Sequence, residues 1–558
     1  MTRRLLVAAL VTALGATLAL GGLAAGPAVA AIWPSPVEVA PAAPTFYYRW
    51  DPQTVVLPDG TALAAWYTYD GANAHVDDGL WVAEHPVGGD WGTPTKIVSG
   101  GMYGAKVAVG PDGTVAVAYT TFASAKLVLN AVVRPAGDSW GAPVVLSDTT
   151  KTASSPQVAV GAGQITAAWV QDSGPLSQPV VRSRPLGAAG TWDSPITFAD
   201  TGVSGTDVAA SAAGTLVTWL LSSDTSPSAS YPASTVRSSF RATTVWEPPV
   251  SISASDRRVA VAEPAAGADG TLAVTWESRL PGTDGYYTSA RTLAAIRPPG
   301  DSWGAESLLS DPDIEGRYPH LGVGPDGTTT VVWESYDGAN PQVATRVRQG
   351  GSWQPQQVLT QSVDSESFPQ LALGPDGTAV VMSSNLDKGI AVAIRPTGAG
   401  EWRPTDYIAP AAQAGYNRSL AVGSSTVSVV WTYGNDDVLM AVAADHLLPL
   451  PPLPPAKVSA ETGPITGPAK VEKGTKAPYT FTGTPASVAF QCRVDETRHQ
   501  QTGATGKKGK KPVPWKSCTS PVKVKTKKLK PGKHTLYVRA VLAGVPDPTP
   551  SAKTIKVK

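Results

Sequence analysis

The sequence repeats one pattern eight times between Gln53 and Val442. A complete copy contains an apolar stretch, a tight turn, a β-rich stretch ending in a large aromatic residue, and a Gly-rich turn followed by a second Trp; Ser383 replaces the aromatic residue in the seventh copy. The clearest copy begins at Pro319, reaches Trp333 and continues to Leu359. A period of about 50 residues built from strands and turns is typical of β-propellers, in which each repeat forms one four-stranded blade. The pattern therefore predicts an all-β fold.

Two kinds of marker locate the repeats. The tight turns fall at Asp59-Gly60, Asp112-Gly113, Ala162-Gly163, Ala213-Gly214, Asp269-Gly270, Asp326-Gly327, Asp376-Gly377 and Ser424-Ser425. Asp-Gly between apolar runs predicts a hairpin with a type I′ turn, because both residues tolerate positive φ. The second Trp series is Trp91, Trp140, Trp192, Trp246, Trp303, Trp353 and Trp402. Residues that recur at one repeat position are expected to pack neighbouring blades together rather than to bind a ligand.

The second Trp of the last repeat is missing from the end of the series, but its counterpart stands at the start of the chain. Residues 32–39 around Trp33 read like residues 139–146 around Trp140. We expect the N-terminal strand to complete the last blade and so close the ring without an open sheet edge. Eight blades follow, or seven if the weakest copy, residues 206–253, is degenerate.

The length of the chain predicts several domains, and its first 30 residues predict export. The chain has 558 residues, of which 16% are charged, with 55 Gly and 51 Pro. Residues 1–30 form a secretory signal peptide: Arg3 and Arg4 precede a long apolar run, and small residues before Ala31 offer a cleavage site. No later stretch is long and apolar enough to span a membrane. The mature protein is therefore expected to be secreted, with the propeller at residues 31–446.

A different kind of sequence follows the repeats. Residues 447–476 begin with a proline run and are expected to be a stiff linker, and residues 477–558 resume as β-structure. The two cysteines of the protein, Cys492 and Cys518, both lie in this last segment. Because two thiols in one small exported domain usually pair, we predict a disulfide between them.

The last segment resembles the immunoglobulin-like modules of secreted bacterial proteins. The resemblance is carried by residues 490–495, 515–521, 532–540 and 547–550, and a Lys-rich insert at 500–511 departs from it. It implies a small immunoglobulin-like β-sandwich that acts as a spacer or adhesion module without catalysis.

Charge is divided unevenly along the chain. Residues 456–558 hold 21 Lys and Arg against 5 Asp and Glu, whereas the rest of the chain holds 24 against 39. A basic module on an acidic body predicts docking to an anionic polymer, with simple solvation of the charges as the alternative. Nucleic acid is not expected as a partner, because the basic insert lacks interleaved aromatic residues for base stacking.

The propeller itself predicts one place for a ligand. Polar and aromatic residues stand at the beginning of the inner strands, where the repeat core does not constrain them. These positions include Tyr48, Arg49 and Trp50, Tyr103, Ser154 and Ser155, Asp207, Arg317, Tyr318 and His320, Glu366 and Phe368, and Tyr416 and Arg418. We expect them to meet at one mouth of the central channel and to bind a glycan or a cell-wall polymer.

A second resemblance involves the same positions. The segment 48–63 is similar to the first conserved block of bacterial sialidases, segment 415–422 to their late block, and the turns 88–91, 137–140 and 300–303 to the sialidase Asp-box. The resemblance implies that Arg49, Arg317 and Arg418 would bind a substrate carboxylate. It also implies Tyr416 as nucleophile, Glu366 as its base, and Asp77 or Asp78 as the acid.

The function predicted from the sequence is binding without catalysis. We expect a secreted propeller that binds extracellular glycans, with a basic adhesion module. The alternatives are a sialidase-like exo-glycosidase and a passive interaction scaffold. No cofactor or metal is predicted, because zinc, nucleotide and dinucleotide motifs are missing from the sequence. The segment 311–316 mimics the start of a calcium loop, but a β-turn is the expected structure.

Overall fold

A computed structural model describes most of the chain. The described residues are 33, 36–40, 47–70, 78–172, 177–187, 189–223, 233–279, 290–338, 340–359, 366–385, 388–403, 405–409, 417–433, 440–447, 461–484, 488–495, 497–501, 508–542, 545–547 and 550–558. The chain divides into two compact units, Met1–Leu450 (unit 1) and Pro451–Lys558 (unit 2). None of the described residues belongs to a helix long and apolar enough to cross a membrane.

Unit 1 is built from antiparallel strands. In chain order, its first half contains β1 (Val37–Ala40), β2 (Tyr47–Val56), β3 (Ala62–Asp70), β4 (Gly79–His85), β5 (Thr95–Ser99), β6 (Met102–Val109), β7 (Val115–Ala123), β8 (Lys126–Arg134), β9 (Val144–Val145), β10 (Thr152–Gly161), β11 (Gln164–Asp172), β12 (Gln178–Pro185), β13 (Ile196–Thr197), β14 (Val203–Ser211), β15 (Gly214–Ser222), β16 (Ser234–Arg241) and β17 (Val250–Ser251). Its second half contains β18 (Arg258–Ala266), β19 (Leu272–Arg279), β20 (Arg291–Arg297), β21 (Ser307–Leu308), β22 (Glu315–Val323), β23 (Thr329–Tyr336), β24 (Pro341–Gln349), β25 (Ser352–Trp353), β26 (Gln357–Val358), β27 (Glu366–Leu373), β28 (Ala379–Asn385), β29 (Gly389–Arg395), β30 (Asp406–Ala409), β31 (Arg418–Val422), β32 (Thr426–Tyr433) and β33 (Met440–Leu447).

The strands form eight antiparallel sheets in a cyclic, propeller-like arrangement. Seven sheets use consecutive strands, beginning with β2, β6, β10, β14, β18, β22 and β27, and the eighth has the order β1-β33-β32-β31. The first strand of each sheet contacts the first strand of the next, and β31 contacts β2. In the eighth sheet β1 pairs with β33, so the N-terminal strand supplies its outermost strand. Both the all-β class and this use of β1 agree with the repeat pattern of the sequence.

Large aromatic residues fill the space between the sheets. In six of the eight sheets the second strand from the centre has a fully buried aromatic residue: Trp169, Trp219, Trp276, Trp333, Trp431 and Tyr119. Trp333, for example, packs in one cluster with Ala273 and Leu309 of the preceding sheet. The second Trp series is half-buried, and an arginine covers several of its rings, as Arg395 covers Trp402. These tryptophans therefore join neighbouring sheets, as expected from their recurrence.

The Asp-Gly turns differ from the type I′ geometry expected for them. Only the glycine has positive φ, as at Gly113 with φ 90°. Its N–H donates to the carbonyl of Gly110, while the Asp112 carboxylate accepts hydrogen bonds from the N–H and hydroxyl of Thr114. The recurring Gly-Pro-Asp-Gly-Thr sequence explains this, because Pro fixes the first turn position and a left-handed glycine closes the longer loop.

The far ends of the eight first strands enclose one cavity of about 600 Å³. Residues from all eight strands or the turns after them line it, Val56, Val109, Val160, Ala210, Ala266, Val323, Leu373 and Val422 among them. The strands approach closely here: a Cβ added to Gly423 would overlap Val56 of the next sheet. Glycine is thus required where the eighth sheet meets the first.

Unit 2 is also a β-structure. Its elements are β34 (Glu461–Thr462), β35 (Lys470–Val471), β36 (Lys476–Tyr479), β37 (Gly483–Thr484), β38 (Ala489–Val494), β39 (Thr497–Gln501), β40 (Lys508–Pro512), β41 (Lys516–Cys518), β42 (Val522–Lys525), a 3-10 turn (Thr526–Lys528), β43 (Gly532–Leu542), β44 (Val545–Pro546) and β45 (Ser551–Val557). One sheet has the order β35-β45-β43-β38-β41, and β36 pairs with β42 in another. Tyr479, Val538 and Ile555 share the core between them.

Two predictions for this part of the chain can be compared with the structure. The disulfide between Cys492 and Cys518 is confirmed, with Cα atoms 5.9 Å apart. The linker expected at 447–476 is shorter than predicted, because β34 and β35 lie within it and β35 pairs with β45. Two-residue strands in a Pro- and Gly-rich segment carry no hydrophobic periodicity by which they could be recognised.

Candidate functional site

A β-bulge interrupts the first strand in seven of the eight sheets. At five of these bulges one residue has positive φ: Asp51, Gly104, Ser155, Tyr318 and Phe368, with φ between 49° and 62°. Positive φ is unfavourable for bulky side chains and is found mostly at sites where the surrounding structure enforces it. Bulges also re-aim the side chains beside them. These bulges lie at the end of the channel opposite the 600 Å³ cavity.

A ring of polar residues follows the bulges. On the second strand of every sheet, one residue immediately precedes the buried aromatic site. The residue that pairs with it on the first strand is polar and half-buried in all eight sheets. We call these eight residues the polar ring: Gln53, Lys106, Gln157, Asp207, Glu263, His320, Gln370 and Ser419. Because the same register position recurs in all eight strands, the side chains form one level of the channel.

The charged members of the polar ring interact with each other. Nδ1 of His320 lies 2.6 Å from the carboxylate of Glu263. Burial lowers the pKa of His320, but Glu263 and Asp207 more than offset it and leave that pKa raised. Burial and Glu263 raise the pKa of Asp207 to about 7, against the opposing effects of Lys106 and His320. Lys106, Asp207 and His320 belong to the second, fourth and sixth sheets, so their electrostatic coupling places the charges around a common centre.

Beside the ring, two exposed aromatic side chains form a pair. The rings of Tyr318 and Phe368 have centroids 4.9 Å apart, and the residues are 39% and 50% exposed. Each sits at the positive-φ position of its bulge. A buried carboxylate of the preceding sheet accepts from each backbone N–H: Glu277 from Tyr318, and Glu334 from Phe368, both at 3.3 Å. The acids thus hold the strained backbone that presents the aromatic pair.

Glu334 has a further neighbour. Burial raises its pKa, while the Phe368 N–H and Arg317 act in the opposite direction. Arg317 Nη1 lies 3.9 Å from Glu334, its guanidinium also contacts Glu315, and it lies 4.6 Å from the Tyr336 ring. This guanidinium is therefore held against its own sheet.

Arg418 enters the same neighbourhood from the eighth sheet. Its Nη2 donates to the Phe368 carbonyl oxygen over 3.2 Å, and its backbone carbonyl accepts from Gln370. The side chain is buried, which lowers the pKa of Arg418 to about 10. A carbonyl oxygen is an uncharged partner, so the positive charge of Arg418 is not neutralised by it.

Of the residues predicted from the sequence, Arg317, Tyr318 and His320 lie on the sixth sheet and Arg418 lies on the eighth, with Phe368 on the seventh sheet between them. Asp78 is buried immediately before β4, where its backbone carbonyl accepts a hydrogen bond from the Gly100 N–H. Asp77, Tyr416, and the side chains of Tyr48, Arg49, Trp50 and Glu366 lie outside the described residues.

Four residues of the site, Lys106, Glu263, Glu277 and Glu334, are not among those predicted from the sequence. The sequence does contain a signal for Lys106 and Glu263. In each repeat with an Asp-Gly turn, the member of the polar ring stands seven residues before the glycine, so aligning the repeats on that glycine selects both residues. Glu277 and Glu334 each follow a buried Trp, but the sequence does not reveal that they reach the next sheet.

The described residues contain no group of three or more His, Cys, Asp or Glu side chains placed to hold a metal ion. At the sequence that mimics a calcium loop, Asp311 accepts from the N–H groups of Asp313 and Ile314. This hydrogen bonding is that of a β-turn.

The sequence matches no known family model and no curated protein. Among solved structures it is similar to an α-L-arabinanase of Penicillium chrysogenum, at 14% identity over 74% of this chain and 98% of that one, with a TM-score of 0.39. It is also similar to the Hadza microbial sialidase Hz136, at 11% identity over 69% and 74%, with a TM-score of 0.33. A protein of unknown function from Dyadobacter fermentans matches at 10% identity over 74% and 98%, with a TM-score of 0.37. Scores this low carry no information about the chemistry of the site.

Proposed function

We propose that unit 1 is a closed eight-bladed β-propeller that binds a carbohydrate at the bulged end of its channel. The exposed pair of Tyr318 and Phe368 is the observation that carries the proposal. Its two rings are held in place by strained backbone, and polar groups of Arg317 and His320 lie beside them. Ligand sites of this kind combine apolar surface with a few convergent polar groups.

Sugars suit this surface for a physical reason. The C–H faces of a pyranose or furanose are apolar and pack on aromatic rings, while the hydroxyl groups around the sugar edge require donors and acceptors. The aromatic pair supplies the apolar packing surface, and the amides, carboxylates and imidazole of the polar ring supply the hydrogen-bond donors and acceptors. Because the bulges fix both rings before a ligand arrives, little side-chain freedom is lost on binding.

We propose binding without turnover. Two carboxylates beside the aromatic pair, those of Glu277 and Glu334, hold the N–H groups of the two bulges. Glu263 is paired with His320. The leader-like sequence at 1–30 supports export, so the ligand would be an extracellular glycan or a cell-wall polymer. Unit 2, with its disulfide and its two packed sheets, would be an immunoglobulin-like adhesion module.

A sialidase-like exo-glycosidase is the second candidate. It is favoured by the two guanidinium groups of Arg317 and Arg418 on either side of Phe368, and by the raised pKa of Glu334, a property of general acids. In this mechanism Tyr416 would attack the anomeric carbon with Glu366 as its base.

The binding proposal is tested with the full-length protein on an array of neutral and acidic glycans. We expect Tyr318→Ala and Phe368→Ala each to weaken binding by at least about tenfold, the equivalent of roughly 1.4 kcal/mol. Tyr407→Ala is the matched control, because Tyr407 is 42% exposed on the outermost strand β30. Equal losses in all three variants would contradict a site at the channel mouth.

The catalytic alternative is tested with a fluorogenic sialoside. Turnover by the parent protein that disappears in Tyr416→Phe would establish the glycosidase and replace the proposal of pure binding. If the protein showed no glycan binding and no turnover, a passive scaffold would be the remaining function of unit 1.

A further inference from the structure

The outward face of the large sheet in unit 2 carries a row of lysines. Lys470, Lys556 and Lys533 are directly paired across the adjacent strands β35, β45 and β43, and all three are exposed. The alternate residues Ile555 and Val557 are buried in the core, so the lysines point outward. Like charges directly opposite each other destabilise a sheet. The row therefore reduces the stability of unit 2 unless an anion lies over it.

The same face carries two arginines stacked on an indole. The guanidinium carbons of Arg493 and Arg539 lie 4.5 and 4.4 Å from the centroid of Trp515, and Arg493 lies 5.2 Å from the ring of Tyr537. The pairings of Arg493 with Tyr537 and of Arg539 with Gln491 place these residues on the face of Lys533. These contacts hold both guanidinium groups against the Trp515 ring.

Arg539 is held by an uncharged partner. Its Nε and Nη2 both donate to the amide oxygen of Gln491, at 2.9 and 2.7 Å, and it has no carboxylate partner among the described residues of unit 2. The described salt bridges of the unit join other groups, His534 to Asp495 and Lys558 to Glu472. This face therefore holds the guanidinium group of Arg539 in a fixed position, without a carboxylate partner among the described residues of unit 2.

We propose that this face, defined by Lys470, Lys533, Lys556, Arg493, Arg539, Trp515 and Tyr537, binds an anionic polysaccharide. The row of lysines and the stacked arginines are separated along β43, so a chain with repeated charges can contact both. Arginine recognises carboxylate and sulfate oxygens through paired donors, and lysine adds point charges. A polysaccharide is favoured over nucleic acid because the indole is already covered by guanidinium groups and is not available to stack on a base.

The second sheet of unit 2 provides a matched control. Lys476 and Lys525 are also paired and exposed there, and Lys523 is exposed on the same strand as Lys525. That strand pair, Lys476–Tyr479 with Val522–Lys525, contains no arginine and no tryptophan. A variant with Gln at these three positions loses the same charge as a variant with Gln at 470, 533 and 556.

The test measures binding of the full-length protein to immobilised polygalacturonate and heparin, with mixed-sequence DNA as a third surface, at several salt concentrations. We expect Lys470→Gln/Lys533→Gln/Lys556→Gln to bind at least one polysaccharide about tenfold more weakly at physiological salt, with a shallower salt dependence. The control variant should retain most of the affinity. The Gln variant should also unfold no more easily than the parent, because the like-charge row is gone.

Arg539→Lys separates fixed geometry from charge. It keeps the cation but loses the planar fork, and we expect weaker binding to the same polysaccharide. Equal weakening in the control variant would show that net charge alone is responsible and would overturn the proposal. Binding to DNA without binding to either polysaccharide would also overturn it.

Discussion

Replacing Asp207 by Asn is expected to reduce the pH dependence of the stability of unit 1 between pH 4 and pH 7. Asp207 is the member of the polar ring whose carboxyl group is most strongly affected by its surroundings. Burial and the neighbouring carboxylate of Glu263 raise its pKa from 3.8 to about 7, while Lys106 and His320 oppose the shift. The folded protein therefore keeps a proton on Asp207 over a range in which the unfolded chain has lost it.

The sign and size of the effect follow from this difference. Where the folded state binds more protons than the unfolded state, stability falls as the pH rises. The contribution is present below pH 3.8 and is lost by the time the pH passes about 7. One pKa unit corresponds to 1.36 kcal/mol, so the free energy of unfolding would decrease by up to about 4 kcal/mol across this window. Asparagine does not titrate, and the variant should lack this decrease.

His320 adds a second effect at higher pH. Its pKa is raised above the ordinary 6.5, so its protonated form contributes stability that is lost as the pH rises through the folded-state value. Asp207 is one cause of that raised pKa. We therefore expect the loss of stability above pH 6.5 to become smaller in Asp207→Asn as well.

Urea unfolding at fixed ionic strength measures the effect, with Trp fluorescence as the signal. Of the 17 Trp, Trp515 alone belongs to unit 2, so the signal reports unit 1. Asp138→Asn, at an exposed turn where Asp138 accepts from the Ser139 N–H, serves as control. If the free energy of unfolding of Asp207→Asn and the parent fell in parallel from pH 4 to pH 7, the charge coupling inside the polar ring would be refuted.

Three further variants test other parts of the structure. Gly423→Ala places a methyl group against Val56 and should destabilise unit 1 by about 1–3 kcal/mol, whereas Gly400→Ala, which meets nothing within 4 Å, should have little effect in the same urea titration. Replacing both cysteines of the disulfide by serine opens a loop of 26 residues and should lower the stability of unit 2 by roughly 3–4 kcal/mol in calorimetry; an unchanged transition would contradict this. Tyr318→Gly relieves the positive φ and should leave stability unchanged or raised by up to about 1 kcal/mol while glycan binding falls; a clear loss of stability would show that Tyr318 serves the fold.

The sequence predicted the repeated part of the fold well, because repetition averages over local irregularity. Eight copies of one strand–turn pattern identify the all-β class, the turns and the strand that β1 adds, even though single copies are weak. The disulfide was equally accessible, since Cys492 and Cys518 are the only two thiols. Each of these features depends on residue types at fixed spacing.

The site was harder to predict because it depends on register. A bulge adds one residue to a strand and changes which face the following residues occupy. Hence Arg317 and His320, three positions apart, enter different surroundings: Arg317 lies against Glu334 of its own sheet, and His320 joins the polar ring beside Glu263. The contacts of Glu277 and Glu334 cross from one sheet to the next. No local pattern within a repeat contains that information.

The backbone of the bulges carries a local cost in stability that favours the proposed binding site. At the equivalent position of the second sheet, Gly104 adopts positive φ without steric cost. Tyr318 and Phe368 adopt it at a cost of about 1–2 kcal/mol each, the usual penalty for a side chain in left-handed backbone. Glycine at this position avoids the steric cost, as in the second sheet, but the sixth and seventh sheets have Tyr318 and Phe368 there instead. Because their rings remain exposed, burial of apolar surface does not compensate fully for this cost. A ligand that covers the two rings is the simplest compensation, and it is the reason for placing the binding site at this end of the channel.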